Sequence, residues 1–159
     1  MKKEFTHINE ENNPKMVNVG DKKITKRKAT AKATMFLGSE IISHFKSEDI
    51  ITKKGPVFQT AIISGIQAVK KTSELIPMCH PLLINGTDID IQIIDSEHIE
   101  IICEVSIEGK TGVEMEALTG ANIAALTVYD MCKAISQKMV IKEVKLMKKS
   151  GGKSDINNE

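Results

Sequence analysis

The sequence predicts an α+β fold, an antiparallel sheet covered by helices on one face, and three observations carry that prediction. Two-residue alternation of apolar and polar side chains begins at Thr25, Asp88, Ile99 and Val140, the mark of strands with one buried face. Two longer stretches, Val57 to Thr72 and Gly109 to Ile135, repeat small and apolar residues at three- and four-residue steps, the mark of helices with a buried stripe. The elements then run strand, helices, strand, strand, helix, strand. That is the split β-α-β-β-α-β order of ferredoxin-like folds.

The chain divides into an N-terminal arm (1–23), one domain (24–149) and a Gly/Lys-containing tail (150–159). The arm is polar with isolated apolar residues, so it is expected to be loose or docked onto something else. In the first strand Ala29, Ala31, Ala33, Met35 and Leu37 point one way and Lys28, Thr30, Lys32 and Thr34 the other. Gly38 ends it, and Ser39 is expected to cap a short helix through Phe45. After the polar stretch Lys46 to Lys54, Gly55 and Pro56 mark a break and a helix start. Gly65 in that helix permits close approach of a neighbour. Pro77 and Pro81 hold SELIPMCHPLLI extended and present Cys79 and His80. Ile89, Ile91 and Ile93, then Ile99 to Ile107, form a hairpin turning at Asp95 to Glu97. In the long helix, Thr111 and Glu114 have capping-box spacing. Leu118, Ala121, Ala125, Val128 and Cys132 form its buried stripe, and Val140, Lys142, Val144 and Leu146 alternate as the last strand.

Composition narrows the function. A chain of 159 residues buries about 68–70% of its unfolded surface and folds as one domain without staples. The three cysteines are scattered without zinc-ligand spacing, which suits a reducing cytoplasm. Neither a signal peptide nor a membrane-length apolar run is visible. A net charge of +1, no Trp and one Tyr argue against a nucleic-acid surface. Lysines nevertheless cluster locally, which suits a small anion.

A second face of the long helix is read as Glu116, Ile123, Thr127 and Asp130, with Lys133 one turn beyond. Glu116 and Asp130 lie about 21 Å apart at 1.5 Å per residue, so one small reacting centre cannot touch both. Either the ligand is long or each carboxylate works with another segment or subunit. Asp130 and Lys133 can be a surface ion pair or, in a closed pocket, an acid and a base. His80 is a candidate for a phosphate or base edge, or a structural histidine. KSGGKS can gather backbone N–H groups on an anion, but it lacks Walker A spacing, and on its own it reads first as a flexible basic tail. Arg27, Lys54, His80, Lys133, Lys149 and Lys153 with Glu114, Glu116 and Asp130 suggest an anionic small-molecule site with acid/base capacity.

The runs FTHINE, QTAIISGIQAVKKTSELIPMCHPLLI, GKTGVEMEALTGANIAALTVYDMCKAI, MVIKEVKLM and KSGGKS resemble the MoaC family, cyclic pyranopterin monophosphate synthases of molybdenum-cofactor biosynthesis. The resemblance covers almost the whole chain. It implies a homohexamer, a trimer of dimers, with active sites at subunit interfaces. It also implies conversion of a 3′,8-cyclised dihydroguanosine triphosphate, made by a radical S-adenosylmethionine GTP cyclase, to cyclic pyranopterin monophosphate with release of pyrophosphate. By the family pattern Asp130 resembles the catalytic acid/base, with Lys133 beside it. Met78, Cys79, His80, Met115 and Glu116 resemble substrate-binding segments, and Glu114 falls in the same run. Lys54, Lys149 and Arg27 match basic positions around substrate. No tightly bound cofactor or protein-held metal is implied, and Mg²⁺ can accompany the triphosphate. Asn18 and Asp155 depart from the family pattern, which usually has Asp and Gly there. Two other readings stay open on the residues alone: a non-catalytic nucleotide- or anion-sensing module, and a purely structural oligomer.

Overall fold

The computed structural model describes residues 7–158. Of the arm, residues 1–6 lie outside the described residues, and with them part of the FTHINE run.

The main sheet has five strands in the order β5-β6-β1-β7-β8, all antiparallel: β1 Thr25–Phe36, β5 Gly86–Ile93, β6 His98–Gly109, β7 Val140–Ser150 and β8 Ile156–Asn157. Without the short β8, this is the expected ferredoxin-like order. Helices α2 (Val57–Lys70) and α4 (Glu114–Cys132) cover one face, with α1 (Ser39–Ile42) and α3 (Thr72–Leu75) as single turns. Between sheet and helices lie Ala29, Ala31, Ala33 and Met35 of β1 and Ile99, Ile101, Cys103 and Val105 of β6, each at most 1% exposed. The predicted alternation of β1 and β6 is therefore the burial pattern.

Small residues set the distance between the helices. A Cβ on Gly65 would sit 2.9 Å from the Gly120 carbonyl and 2.5 Å from Ile89 Cδ1, and one on Gly120 would sit 2.6 Å from Cys103 Sγ. The two helices thus cross backbone to backbone, with Ala121, Ala124 and Ala125 fully buried beside them. Ser64 and Thr127 hydroxyls, 2.6 Å apart, tie the helices where polar groups meet.

Several expectations are corrected. Ser39 begins α1 and does not cap it; Gly38, at φ +85, occupies the cap position, and Phe45 belongs to a strand. The polar connector is a second sheet of three short strands, β2 (Phe45–Lys46), β3 (Asp49–Thr52) and β4 (Gly55–Pro56). Asp49 in this sheet is 8% exposed, and its carboxylate accepts N–H bonds from Ile50 (2.6 Å), Phe58 (2.8 Å) and Gln59 (3.0 Å). It caps α2, whose own N-cap, Pro56, has no side-chain acceptor. The first residues of the proline loop, Ser73 to Leu75, are helical. Helix α4 starts at Glu114 and shows no capping box; Thr111 and Glu114 do other work. Leu118 is only partly buried, whereas Glu116 lies on the buried side of the helix and not on an open face shared with Asp130.

The last strand follows a different phase from the predicted one. Val140 is 51% exposed, and Ile141 pairs with Met35 and packs against the core. Register shifts then leave Lys142 and Met147 as extra residues, so Val144, Leu146 and finally Lys149 take the helix-facing side. The tail returns as β8. The arm is docked: Ile8 bridges Pro14, and Val17 and Val19 are half-buried.

Candidate active site

Two clusters lie at opposite ends of α4. At its N-terminal end, β1 and β7 bring Arg27 and Lys149 to the helix-facing side of the sheet. Lys149 Nζ donates to Glu114 Oε1 at 2.9 Å, both side chains about three-quarters buried. This pair, and not a capping box, explains Glu114. Gly112 permits it, since a Cβ there would collide with the Glu114 carboxylate. The neighbouring cavity of about 200 Å³ is lined by Lys22, Arg27, Lys28, Lys110, Lys149 and Lys153, with Glu114 as its acid. Arg27 Nε and Thr111 Oγ1 are buried there without a hydrogen-bond partner. Cations in excess and unpartnered donors favour an anion.

A second cavity of about 480 Å³ shares Lys22, Thr111, Gly112, Glu114 and Lys153 with the first. Its other walls include Met78, Cys79 and His80, Met115 and Glu116, and His7, Val17 and Val19 of the arm. His80 donates through Nε2 to the Val17 carbonyl at 2.8 Å, and Lys110 Nζ donates to the Gly20 carbonyl at 2.5 Å. The arm thus roofs the cavity. Glu116 is 4% exposed, and burial, reinforced by Glu114, pushes its carboxyl above the usual 4.5. Burial and then Glu116 raise the Cys79 thiol. The room contains one acid biased toward its protonated form, two thioethers and two imidazoles. It suits a polar heterocycle joined to the anion next door.

At the C-terminal end of α4, Asp130 Oδ1 accepts from Lys133 Nζ at 2.7 Å and Oδ2 from Lys54 Nζ at 2.9 Å. Lys54 also donates to the Asp130 carbonyl at 3.0 Å. It reaches across from the turn between β3 and β4, where its N–H is held by Thr52 Oγ1. Hydrogen bonds from Lys133 and Lys54 hold the Asp130 carboxyl down to about 2, and Asp130 in turn raises Lys133. All three side chains are about half exposed.

The structure therefore joins Arg27, Met78, Cys79, His80, Glu114, Met115, Glu116 and Lys149 in one place. It joins Lys54, Asp130 and Lys133 in another, about 24 Å along the helix at 1.5 Å per residue. Sequence reading missed Lys110, Thr111 and the arm's valines. The GKTG run around Lys110 was a usable signal; Val17 and Val19 carried none. Among the described residues no cluster of three or more His, Cys, Asp or Glu side chains could hold a metal ion. No helix among them is long and apolar enough to cross a membrane.

A ferredoxin-like domain with a cation-lined cavity opening onto a carboxylate-bearing room defines a class: α+β proteins whose site has the charge and shape to take a small anionic heterocycle. The model of the MoaC family matches residues 16–152, and the chain belongs to that family. It is 52% identical over 155 residues to a cyclic pyranopterin monophosphate synthase of Helicobacter pylori (strain HPAG1), covering 97% of each chain. It is 48% identical to a molybdenum cofactor biosynthesis bifunctional protein of Synechocystis, covering 96% of this chain and 45% of that one. It is also 49% identical to molybdenum cofactor biosynthesis protein 1 of Dictyostelium discoideum, 27% of whose length it spans.

Proposed function

We propose that this chain is a cyclic pyranopterin monophosphate synthase of molybdenum-cofactor biosynthesis, a lyase that releases pyrophosphate from 3′,8-cyclo-7,8-dihydroguanosine 5′-triphosphate. The observation that carries the reading is the joined pair of cavities, one cationic and one heterocycle-sized, with near-full-length relatives bearing that name. Those names support catalysis and not a non-catalytic anion sensor.

In this reading Arg27, Lys149, Lys153 and Lys22 neutralise the triphosphate, with any Mg²⁺ arriving as part of the substrate. Met78, His80, Met115 and Glu116 hold the guanine-derived ring. A substrate hydroxyl attacks the α-phosphorus and gives up its proton, and the bond to the bridging oxygen of the β-phosphate breaks, so pyrophosphate leaves as the cyclic phosphate closes. The surrounding cations offset the charge that develops on the departing oxygen.

Ring opening and rebuilding need proton transfers, which the reading gives to Asp130 and Lys133. In the open site Asp130 is a carboxylate held down to about 2 and Lys133 an ammonium raised above its usual value, both far from neutral pH, so in this reading closure of the site brings them toward it. Their half-exposed position at the far end of α4 requires a second subunit to close over them. A homohexamer, a trimer of dimers, in which Asp130, Lys133 and Lys54 of one subunit face the cavity of another, meets that requirement. The cytoplasm is the expected compartment, and the upstream partner is the radical S-adenosylmethionine GTP cyclase that makes the substrate.

The test is to incubate the protein with the cyclised triphosphate and quantify pyrophosphate and oxidised pterin. Wild type should form both, and Asp130→Asn, assembled normally, should form neither. Absence of product from a correctly assembled wild type overturns the reading.

A further inference from the structure

The C-terminal hairpin contains an acid that the reaction above does not use. β7 passes through a turn at residues 151–155 into β8, which pairs back on Lys148 and Lys149. Residue 151 is fastened on both sides of its backbone. Thr25 Oγ1 donates to the Gly151 carbonyl at 2.8 Å, and the Gly151 N–H donates to Asp155 Oδ1 at 3.1 Å. Gly151 has φ +83, and a Cβ there would strike the Lys26 carbonyl, so the chain passes this point only as glycine.

What the turn delivers is Lys153, which lines both cavities. Gly152 lies so close that a Cβ on it would be 2.9 Å from a guanidinium nitrogen of Arg27. Yet every residue from Gly151 to Asp155 is exposed, so burial does not hold the turn. Two adjacent glycines make it flexible, and the Arg27 and Lys149 charges repel Lys153 outward. The fastening from Asp155 to Gly151 opposes both effects.

We infer that Asp155 is a positioning residue for the anion pocket. Its carboxylate sets the turn before ligand arrives, so Lys153 reaches the anion without being ordered on binding. Asp155 acts through Lys153 and touches no reacting atom. The inference rests on the proposed function for its substrate, but the fastening can be tested with inorganic pyrophosphate alone.

The experiment uses full-length Asp155→Ala, Asp155→Asn, Lys153→Ala and the Ala double variant. Titration calorimetry gives Kd for inorganic pyrophosphate, and turnover of the cyclised triphosphate gives KM and kcat. Asp155→Ala should raise Kd and KM roughly three- to tenfold, the cost of ordering one side chain and its turn. Its kcat should stay within about twofold, since only uniform binding is lost. Asp155→Asn, which keeps an Oδ1 acceptor, should restore binding. Asp155→Ala should add little in the Lys153→Ala background. Amide exchange at 151–155 should quicken in Asp155→Ala. Unchanged Kd and KM in Asp155→Ala, or losses that add in full, overturn the inference. If wild type released no pyrophosphate from substrate while the binding and exchange pattern held, the proposed function would fail and the positioning role would stand.

Discussion

Asp49→Ala should cost this protein more stability than any exposed charge change. The substitution removes the acceptor for three N–H groups: Oδ1 takes Ile50 and Phe58, and Oδ2 takes Gln59. Losing a side-chain cap costs about 1–2 kcal/mol. The Phe58 N–H, on a residue 4% exposed, then lacks a partner, for about 1 kcal/mol more. The sum of about 2–3 kcal/mol corresponds to a Tm lower by roughly 5–10 °C for a chain of this size. Asp49→Asn keeps Oδ1 and two of the three bonds. It forfeits the Gln59 bond and the favourable charge at the helix start, about 1 kcal/mol or 2–4 °C. Thermal unfolding followed by circular dichroism, at matched protein concentration, reads both. A fall under about 2 °C in Asp49→Ala, or equal falls in the two variants, would refute the capping role.

Three further outcomes are expected. Gly65→Ala forces a methyl to 2.9 Å from the Gly120 carbonyl, and should destabilise by about 1–3 kcal/mol in denaturant titrations. Glu116 has a raised carboxyl, so its contribution to stability is full below 4.5 and is lost as pH rises through the folded value. Glu116→Gln should therefore melt higher than wild type near neutral pH and no higher at about pH 4, as a pH series of melts will show. Burial pushes Cys103 to about 12 and Cys132 to about 11, so thiol reagents should label at most Cys79 in the native protein and all three only on unfolding. Rapid native labelling of Cys103 would contradict its place in the core.

The fold was legible where one period governs a long stretch. β1 from Ala29 to Phe36 and β6 from His98 to Ile107 alternate without interruption, and α2 and α4 place Ala and Gly where backbones touch. β2, β3 and β4 were not legible because strands of two to four residues contain no period to read. The capping box failed because a stronger partner exists: Lys149 is 35 residues away in sequence and meets Glu114 only through the sheet. The site divides the same way. The residue types around His80, and the family resemblance at Met115, pointed to a ligand, and the fold brings the two together. That Glu116 is buried while Asp130 is open could not be read from a helical wheel, where the two nearly coincide, because the His80 loop and the arm cover only the Glu116 end of α4. The fastening of residue 151 by Asp155 was equally hidden in a polar tail.

The two supernumerary residues of β7 give the strand places where its length can change harmlessly. Removing Lys142 would leave Ile141, Glu143 and Val144 in plain alternation opposite Met35, Thr34 and Ala33, with every core side chain still turned inward. Against β1 the same holds for Met147 between Leu146 and Lys148, at the cost of the bond its carbonyl accepts from the Asn158 N–H. Deleting a residue between these two points, such as Val144, would instead invert the facing of its neighbours. Natural length variation in this strand should collect at those two positions, as slack in an otherwise fixed count that ends with Lys149 aimed at Glu114.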